Sequence, residues 1–211
     1  MLEYNNEYSP DTKASMIDAP FPLVLIEGLY TEEELFLIHQ ELDYLHIGGR
    51  LKYEGTGASL GTSANREGVW LKEVYKELEY SNIHCISRKV LKLIEHIKTD
   101  EWFFSNMEVF ADSTLVSYYT EGGSYEAHRD LASITAVHWT HKGDKPSFSG
   151  GEIHFPDYNI TLSPTKSTIV LFPSCISHEV LEVRQGIEDD VYNKYGRYAI
   201  THFMSLYKIA E

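Results

Sequence analysis

The sequence predicts an α+β protein in which N-terminal helices support a C-terminal antiparallel jelly roll. Three observations carry that expectation. Apolar residues recur with a helical period in two stretches of the first half. From about residue 107 the period shortens to two, in short runs of β-branched and aromatic residues separated by Gly, Pro, Asp and Ser. No convincing helical stretch lies between those runs, so a parallel sheet would lack its crossover helices. At 211 residues the chain reads as a single domain, with supporting elements over about 1–106 and the jelly-roll core over about 107–208.

Residues 1–20 are polar, carry Pro10 and Pro20, and read as an irregular arm. The apolar run "FPLVLIEGLY" (21–30) reads as a short buried strand. Thr31 followed by Glu34 makes a capping box, in which the threonine hydroxyl and the glutamate each take an orphan backbone N–H. Leu35, Ile38, Leu42 and Leu45 then form one apolar stripe, and Gly48 and Gly49 end the helix. Residues 53–68, "YEGTGASLGTSANREG", read as a mobile loop, with residues 55–65 a candidate lid. The stretch is not a phosphate loop, because no Gly-Lys-Ser/Thr follows it. A second helix is predicted over about 81–98, with Ile83, Ile86, Val90, Ile94 and Ile97 on its inner side. Its His84 and His96 read as surface or partly buried fillers. The strands follow as "EVFADSTLVSYY", "SITAVHWT", "GEIHF", "STIVLF", "HEVLEV" and "RYAITHFMSLY".

Composition narrows the function classes. Hydrophobic residues make up 43% and aromatics 13%, enough for a sizeable core and too many for a disordered chain. A net charge of −14 without a basic cluster argues against nucleic acid as a partner and suits a basic or neutral substrate. Cys85 and Cys175 are far apart and unpatterned, as in a reducing compartment. The first residues lack the basic start and apolar core of a signal peptide, and no apolar run reaches membrane-spanning length. The expectation is a soluble cytoplasmic protein with no membrane partner.

The stretch "EGGSYEAHRD" (121–130) places His128 and Asp130 one residue apart. On an extended chain two such side chains point the same way. Two imidazoles and one carboxylate on one face of an iron ion leave positions open for a co-substrate and oxygen. His178, after the strand and turn of "STIVLFPSCIS", is in the right context to be the third ligand. His138, His141 and His154 form a competing cluster, but His138 and His141 are three apart on a strand and face opposite ways. His202 either lines the cavity or packs its wall.

Taken in order, Tyr119-x-x-Gly122-x-x-Tyr125-x-x-His128-x-Asp130, "FSGGEIHF", "LFPSCISHEV" and "GRYAITHF" resemble the 2-oxoglutarate- and Fe(II)-dependent dioxygenases, most of all their prolyl 4-hydroxylase-like branch. The likeness is strong over about 112–204 and looser at "PLVLIEGLYTEEE". It implies a double-stranded β-helix, with His128, Asp130 and His178 as iron ligands. Arg197 would hold the far carboxylate of 2-oxoglutarate, where a guanidinium fork suits a planar carboxylate. Tyr119 would hydrogen-bond the same co-substrate. The implied reaction couples oxidative decarboxylation of 2-oxoglutarate by O2 to hydroxylation of a C–H bond, with ascorbate as a candidate reductant. A peptidyl proline is the first substrate to consider. The alternatives are a free amino acid or another small molecule, or a non-catalytic jelly-roll binding protein, which has no need of all four residues together.

Asp130 sets the chain apart from halogenating relatives, which lack the carboxylate. Phe203 stands where nucleic-acid demethylases of this kind carry a second arginine. Gly150 and Gly151 read as a close-packing turn before a strand. Trp139 occupies the place of a common tyrosine near the co-substrate. The interval from His178 to Arg197 is longer than is usual in the family. Its Glu188, Asp189 and Asp190 either receive a basic substrate at the mouth or form a solvated turn, the plainer reading.

Overall fold

The computed structural model of the chain describes residues 9–56, 63–96, 109–190 and 192–205. Strands β1 (Lys13–Met16) and β2 (Val24–Glu27) pair antiparallel. Helix α1 (Glu32–Ile47) opens on the capping box: Glu34 N donates to Thr31 Oγ1 at 3.2 Å, and Thr31 N donates to Glu34 Oε2 at 2.9 Å. Leu35, Ile38, Leu42 and Leu45 are buried along its inner face. The chain leaves the helix through Gly49, whose φ of 61° is the left-handed value that glycine tolerates.

The Gly- and Ser-rich stretch is not a free loop. Residues Lys52–Thr56 (β3) and Ser63–Trp70 (β4) form an antiparallel hairpin. The hairpin's tip at 57–62, and with it most of the candidate lid, lies outside the described residues. The pairing succeeds because β4 alternates, with Ala64 and Arg66 buried and Ser63 and Asn65 exposed.

After a short α2 (Leu71–Val74) and a 3₁₀ turn (Leu78–Tyr80), the predicted second helix divides into α3 (Asn82–Ser87) and α4 (Lys89–His96). Ser87 Oγ turns back to bond the Ile83 carbonyl, a contact that competes with the helical ladder and bends helices. Ile83, Ile86, Val90 and Ile94 are buried as predicted, and Ile97 falls outside the described residues. Of the two histidines read as surface or partly buried fillers, His84 is buried.

The remaining strands are β5 (Ala111–Tyr119), β6 (Ser124–His128), β7 (Ile134–Thr140), β8 (Phe148–Gly150), β9 (Ile153–Phe155), β10 (Ile160–Leu162), β11 (Thr168–Pro173), β12 (His178–Val180), β13 (Val183–Gln185) and β14 (Arg197–Ser205). They curl into the predicted antiparallel jelly roll. The strand order is β1-β2-β11-β7-β14-β5-β4-β6-β12-β9-β10, with β13 and β8 a separate pair. Strand β4 is the corner. Its residues 67–70 pair with β5 and its residues 64–65 pair with β6.

Two cores result. One lies between the major sheet and the helices, where Val116, Tyr118, Ile200 and Met204 meet Ile38, Leu42, Ile86 and Ile94. The other lies inside the roll, where Tyr119, Trp139, Phe155, Phe172 and Ala199 pack together. Because both faces of β5, β7 and β14 are covered, these strands are buried along most of their length, polar residues included. Two open points of the sequence close here. His202 packs the outer wall, its Nε2 2.7 Å from Ser87 Oγ, while His138 lies against the Tyr30 ring at 4.8 Å.

The acidic insertion also resolves. Tyr118 Oη donates to both Asp189 carboxylate oxygens at 2.7 Å, and Asp190 Oδ1 accepts from the backbone of Tyr192 and Asn193. Tyr118 belongs to the helix-side core, so Asp189 anchors the loop on the outer face, and none of the described residues of 184–196 lines the inner cavity. The plainer reading holds, with Asp189 as its structural tie.

Candidate functional site

His128 ends β6 and His178 begins β12, and the two residues face each other in the antiparallel register. Asp130 lies just beyond, fixed by its backbone N–H to Ser174 O at 3.0 Å. Its Oδ1 is 3.6 Å from His128 Nε2 and its Oδ2 is 3.4 Å from His178 Nε2. One ligand atom from each of the three residues lies within 4.8 Å of the others, a group that could hold a metal ion. The competing histidines do not join it: His141 Nδ1 faces the Lys142 carbonyl, and His154 pairs with Thr161 and Glu179.

The surroundings prepare the three side chains to donate electron pairs. His128 Nδ1 lies 2.8 Å from Glu126 O, and His178 Nδ1 lies 2.9 Å from Ile176 O. A carbonyl accepts only, so the ring proton sits on Nδ1 and the Nε2 lone pair faces Asp130. Burial drives both imidazole pKa values down to about 4, with the proximity of His178 adding to the effect at His128. At neutral pH these are neutral rings, and the close carboxylate contacts are a donor set, not ion pairs. Burial also pushes the Asp130 carboxyl up, opposed chiefly by Thr135, whose Oγ1 donates to Oδ2 at 2.6 Å. Ring packing fixes the imidazole planes: Tyr125 stacks on His128 at 3.7 Å and 14°, and Phe172 meets His178 edge-on at 4.8 Å.

The cluster opens into a cavity of about 390 Å³ whose wall is the inner face of β5 and β14. Register orders that wall in layers: Arg197 beside Tyr119, Ala199 beside Ser117, Thr201 beside Leu115. Arg197 is 1% exposed, and its Nε and Nη1 have no hydrogen-bond partner. The guanidinium lies over the Tyr119 ring at 4.8 Å and 6.0 Å from the Trp139 ring. Burial lowers its pKa, opposed by the Tyr119 phenol, but an arginine stays charged under such conditions. Two buried, unanswered donors on a charged fork call for a carboxylate.

Gly151 makes room for that fork. Its φ is +70°, and a Cβ there would stand 2.6 Å from Arg197 Cδ. The glycine turn is therefore structural, as the sequence suggests, but its structure serves the site.

Two cavity residues escaped sequence reasoning. Arg66, on β4, donates from Nη1 to Ser117 Oγ at 2.9 Å inside the cavity, and Thr135 orients Asp130. The inward alternation of β4 was the available signal for Arg66.

Residues 114–205 match the family described as the 2OG-Fe(II) oxygenase superfamily. The match takes in β5 to β14, the strands of the roll. That match, with the donor set of His128, Asp130 and His178, supports a dioxygenase that uses Fe(II), 2-oxoglutarate and O2. Among curated proteins no sequence relative matches. Solved structures share its fold at low identity. A Pseudomonas putida prolyl 4-hydroxylase superposes with a TM-score of 0.60 at 15% identity, over 88% of this chain and 93% of that one. A Trichoplax adhaerens prolyl hydroxylase, solved with a hypoxia-inducible-factor peptide fragment, gives 0.62 at 18% identity over 87% and 83%. The viral collagen prolyl hydroxylase of Paramecium bursaria Chlorella virus-1, solved with 2-oxoglutarate, gives 0.57 at 17% over 87% and 96%. Among the described residues, no helix is long and apolar enough to cross a membrane.

Proposed function

We propose that the enzyme hydroxylates an unactivated C–H bond of a peptidyl proline, with His128, Asp130 and His178 holding Fe(II) and Arg197 holding 2-oxoglutarate. The observation that carries the assignment is the orphaned, buried Arg197 fork in the same cavity as the three donor side chains. When bound, Fe(II) and 2-oxoglutarate supply the oxidising power: one oxygen atom enters the C–H bond and the other leaves in succinate, with release of carbon dioxide.

The chain's own residues bind and orient. The carbonyls of Glu126 and Ile176 keep the imidazole protons on Nδ1. Thr135 fixes the carboxylate plane of Asp130. Arg197, flanked by Tyr119 and Trp139, grips the far carboxylate of the co-substrate away from water, where a charge-assisted pair is strongest. Beyond Leu115 the wall turns apolar, and Trp70 packs near Phe203 at 5.4 Å. That half-buried apolar surface fits a compact apolar ring. The prolyl hydroxylases among the structural relatives support a peptide substrate. A cytoplasmic setting suits the free thiols of Cys85 and Cys175.

A second reading, a free amino acid or a similar small carboxylic acid, is favoured by the placement of Arg66 inside the substrate compartment. The deciding experiment is anaerobic titration with Fe(II) and 2-oxoglutarate, then succinate release against prolyl peptides and amino acids. Tight 2-oxoglutarate binding and peptide-stimulated release are expected. Failure of the iron-loaded protein to bind 2-oxoglutarate, or full coupled turnover by Asp130→Ala, would sink the assignment.

A further inference from the structure

Helix α1 carries a second apolar stripe that its packing does not use. Leu35, Ile38, Leu42 and Leu45 face the core, yet Phe36, Tyr44 and Ile47 are 60%, 51% and 59% exposed, with the exposed Gln40 between them. With Glu33 these residues recur at spacings of three and four, so they share one face along the whole helix. Positions 33, 36, 40, 44 and 47 keep the heptad-like spacing of a seam against another helix. Single exposed apolar residues are ordinary, but three in line on one helix make a docking face.

The stripe is complementary to itself when turned end for end about Gln40. Phe36 and Tyr44 each lie four residues from Gln40, so a two-fold axis there sets Phe36 of one copy against Tyr44 of the other, twice. The two Gln40 amides then meet on the axis, and each offers the donor and the acceptor that the other needs. The ends carry opposite charge. Glu32 and Glu33 are exposed in the first turn, and beyond the last turn the exposed Arg50 folds back over Gly48, where a Cβ would stand 3.6 Å from its Cγ. In the reversed pair Arg50 comes over the first turn of the other copy and meets Glu33, whereas a parallel pair would set like charges together. We propose that α1 is a homodimer interface, in which two copies of this chain pair antiparallel through Phe36, Gln40, Tyr44 and Ile47. The cavity opens on the other face of the major sheet, so both sites stay accessible. The seam is about 24 Å long, for 16 residues, and buries less than a standard interface, so the dimer is weak, with a dissociation constant of about 10–100 μM. The pairing is independent of what the cavity binds.

The test is sedimentation velocity of the full chain from about 1 to 300 μM, at about 0.15 M salt to screen the repulsion between chains of net charge −14. A monomer–dimer equilibrium is expected within that range. Tyr44→Glu and Phe36→Glu, which put a charge into the seam, each weaken it by about 10-fold or more, and because both sites are exposed the melting temperature of the dilute protein stays put. Glu33→Arg weakens the dimer, and adding Arg50→Glu to the same chain restores it. Cross-linking reads the geometry, in a Cys175→Ser background that removes the exposed thiol. Gln40→Cys joins to itself on oxidation, while Phe36→Cys and Tyr44→Cys join to each other in a mixture but neither joins to itself. A monomer at the highest concentration overturns the proposal and leaves the face to a different protein. A dimer that Tyr44→Glu leaves intact places the interface elsewhere, and self-joining of Phe36→Cys makes the pair parallel; either result also overturns it.

Discussion

Replacing Arg197 by Met should separate binding from stability. In the free protein the guanidinium is buried with Nε and Nη1 unanswered. Each unsatisfied donor costs about 1–3 kcal/mol, partly offset by a cation–π contact with Tyr119 worth about 0.5–2 kcal/mol. An apolar side chain of similar length removes the burden, so Arg197→Met should leave the free protein as stable as before or more stable by up to about 4 kcal/mol. The loaded protein should behave oppositely. Losing one partner of a buried, hydrogen-bonded charge pair costs about 3–4 kcal/mol, or two to three orders of magnitude in 2-oxoglutarate affinity. Thermal melting of the anaerobic Fe(II) protein reads both. With 2-oxoglutarate at about 100 times the wild-type dissociation constant, linkage adds about 2.7 kcal/mol, a rise of about 5–11 °C for a chain of this size. In Arg197→Met the same concentration should give a rise of about 1 °C or less. A variant that melts well below the wild type when free, yet keeps the full shift with 2-oxoglutarate, would refute both halves of the reasoning.

Thr135→Val keeps the shape of the side chain but removes the hydroxyl that orients Asp130, and Fe(II) affinity by chelator competition should drop about 10- to 100-fold. Equal affinity in wild type and variant would show that Asp130 needs no such support. His138 gives a pH prediction. Burial first, then the nearby His39 and His202, lowers its pKa to about 3, so the folded state excludes a proton that the unfolded chain accepts near 6.5. Stability is therefore full above pH 6.5 and declines as pH falls towards 3, by about 1.4 kcal/mol per pH unit for this one group. His138→Phe should flatten the acid limb of urea unfolding, measured between pH 4 and 7, by that one-proton slope; an unchanged slope contradicts the burial argument.

The parts legible in sequence are those whose local chemistry and tertiary role agree. The capping box, the apolar stripe of α1 and the two-residue period of the later strands each imply one local structure, and the fold keeps them. His128, Asp130 and His178 are brought together because the β6–β12 register sets the two histidines face to face, as the ordered motifs suggested. The failures have specific causes. Composition hid the β3–β4 hairpin, since Gly, Ser and Thr are turn formers unless a neighbouring strand pairs with them. That misreading also hid Arg66, because the alternation of β4 places it inward only once the stretch is taken as a strand, and a buried arginine is rare. The break between α3 and α4 depends on Ser87 bonding backwards. The insertion's direction depends on which face of β5 carries Tyr118.

Strand β14 shows why the helical layer matters to a site it never touches. Arg197, Ala199, Thr201 and Phe203 face the cavity, while Tyr198, Ile200, His202 and Met204 face the helices. A slip of one residue would exchange the two sets, putting Arg197 against the helices and Tyr198 beside the cavity. The outer set is tied down by specific contacts: Tyr198 Oη to His46 Nδ1 at 2.7 Å, and His202 Nε2 to Ser87 Oγ at 2.7 Å. The partners lie on α1 and at the end of α3, so the helices fix the register from behind. The inner end is fixed separately, since Arg197 occupies the space that the missing Cβ of Gly151 leaves. The position of the guanidinium is thus set twice, by polar pins on one face of the sheet and by a missing Cβ on the other.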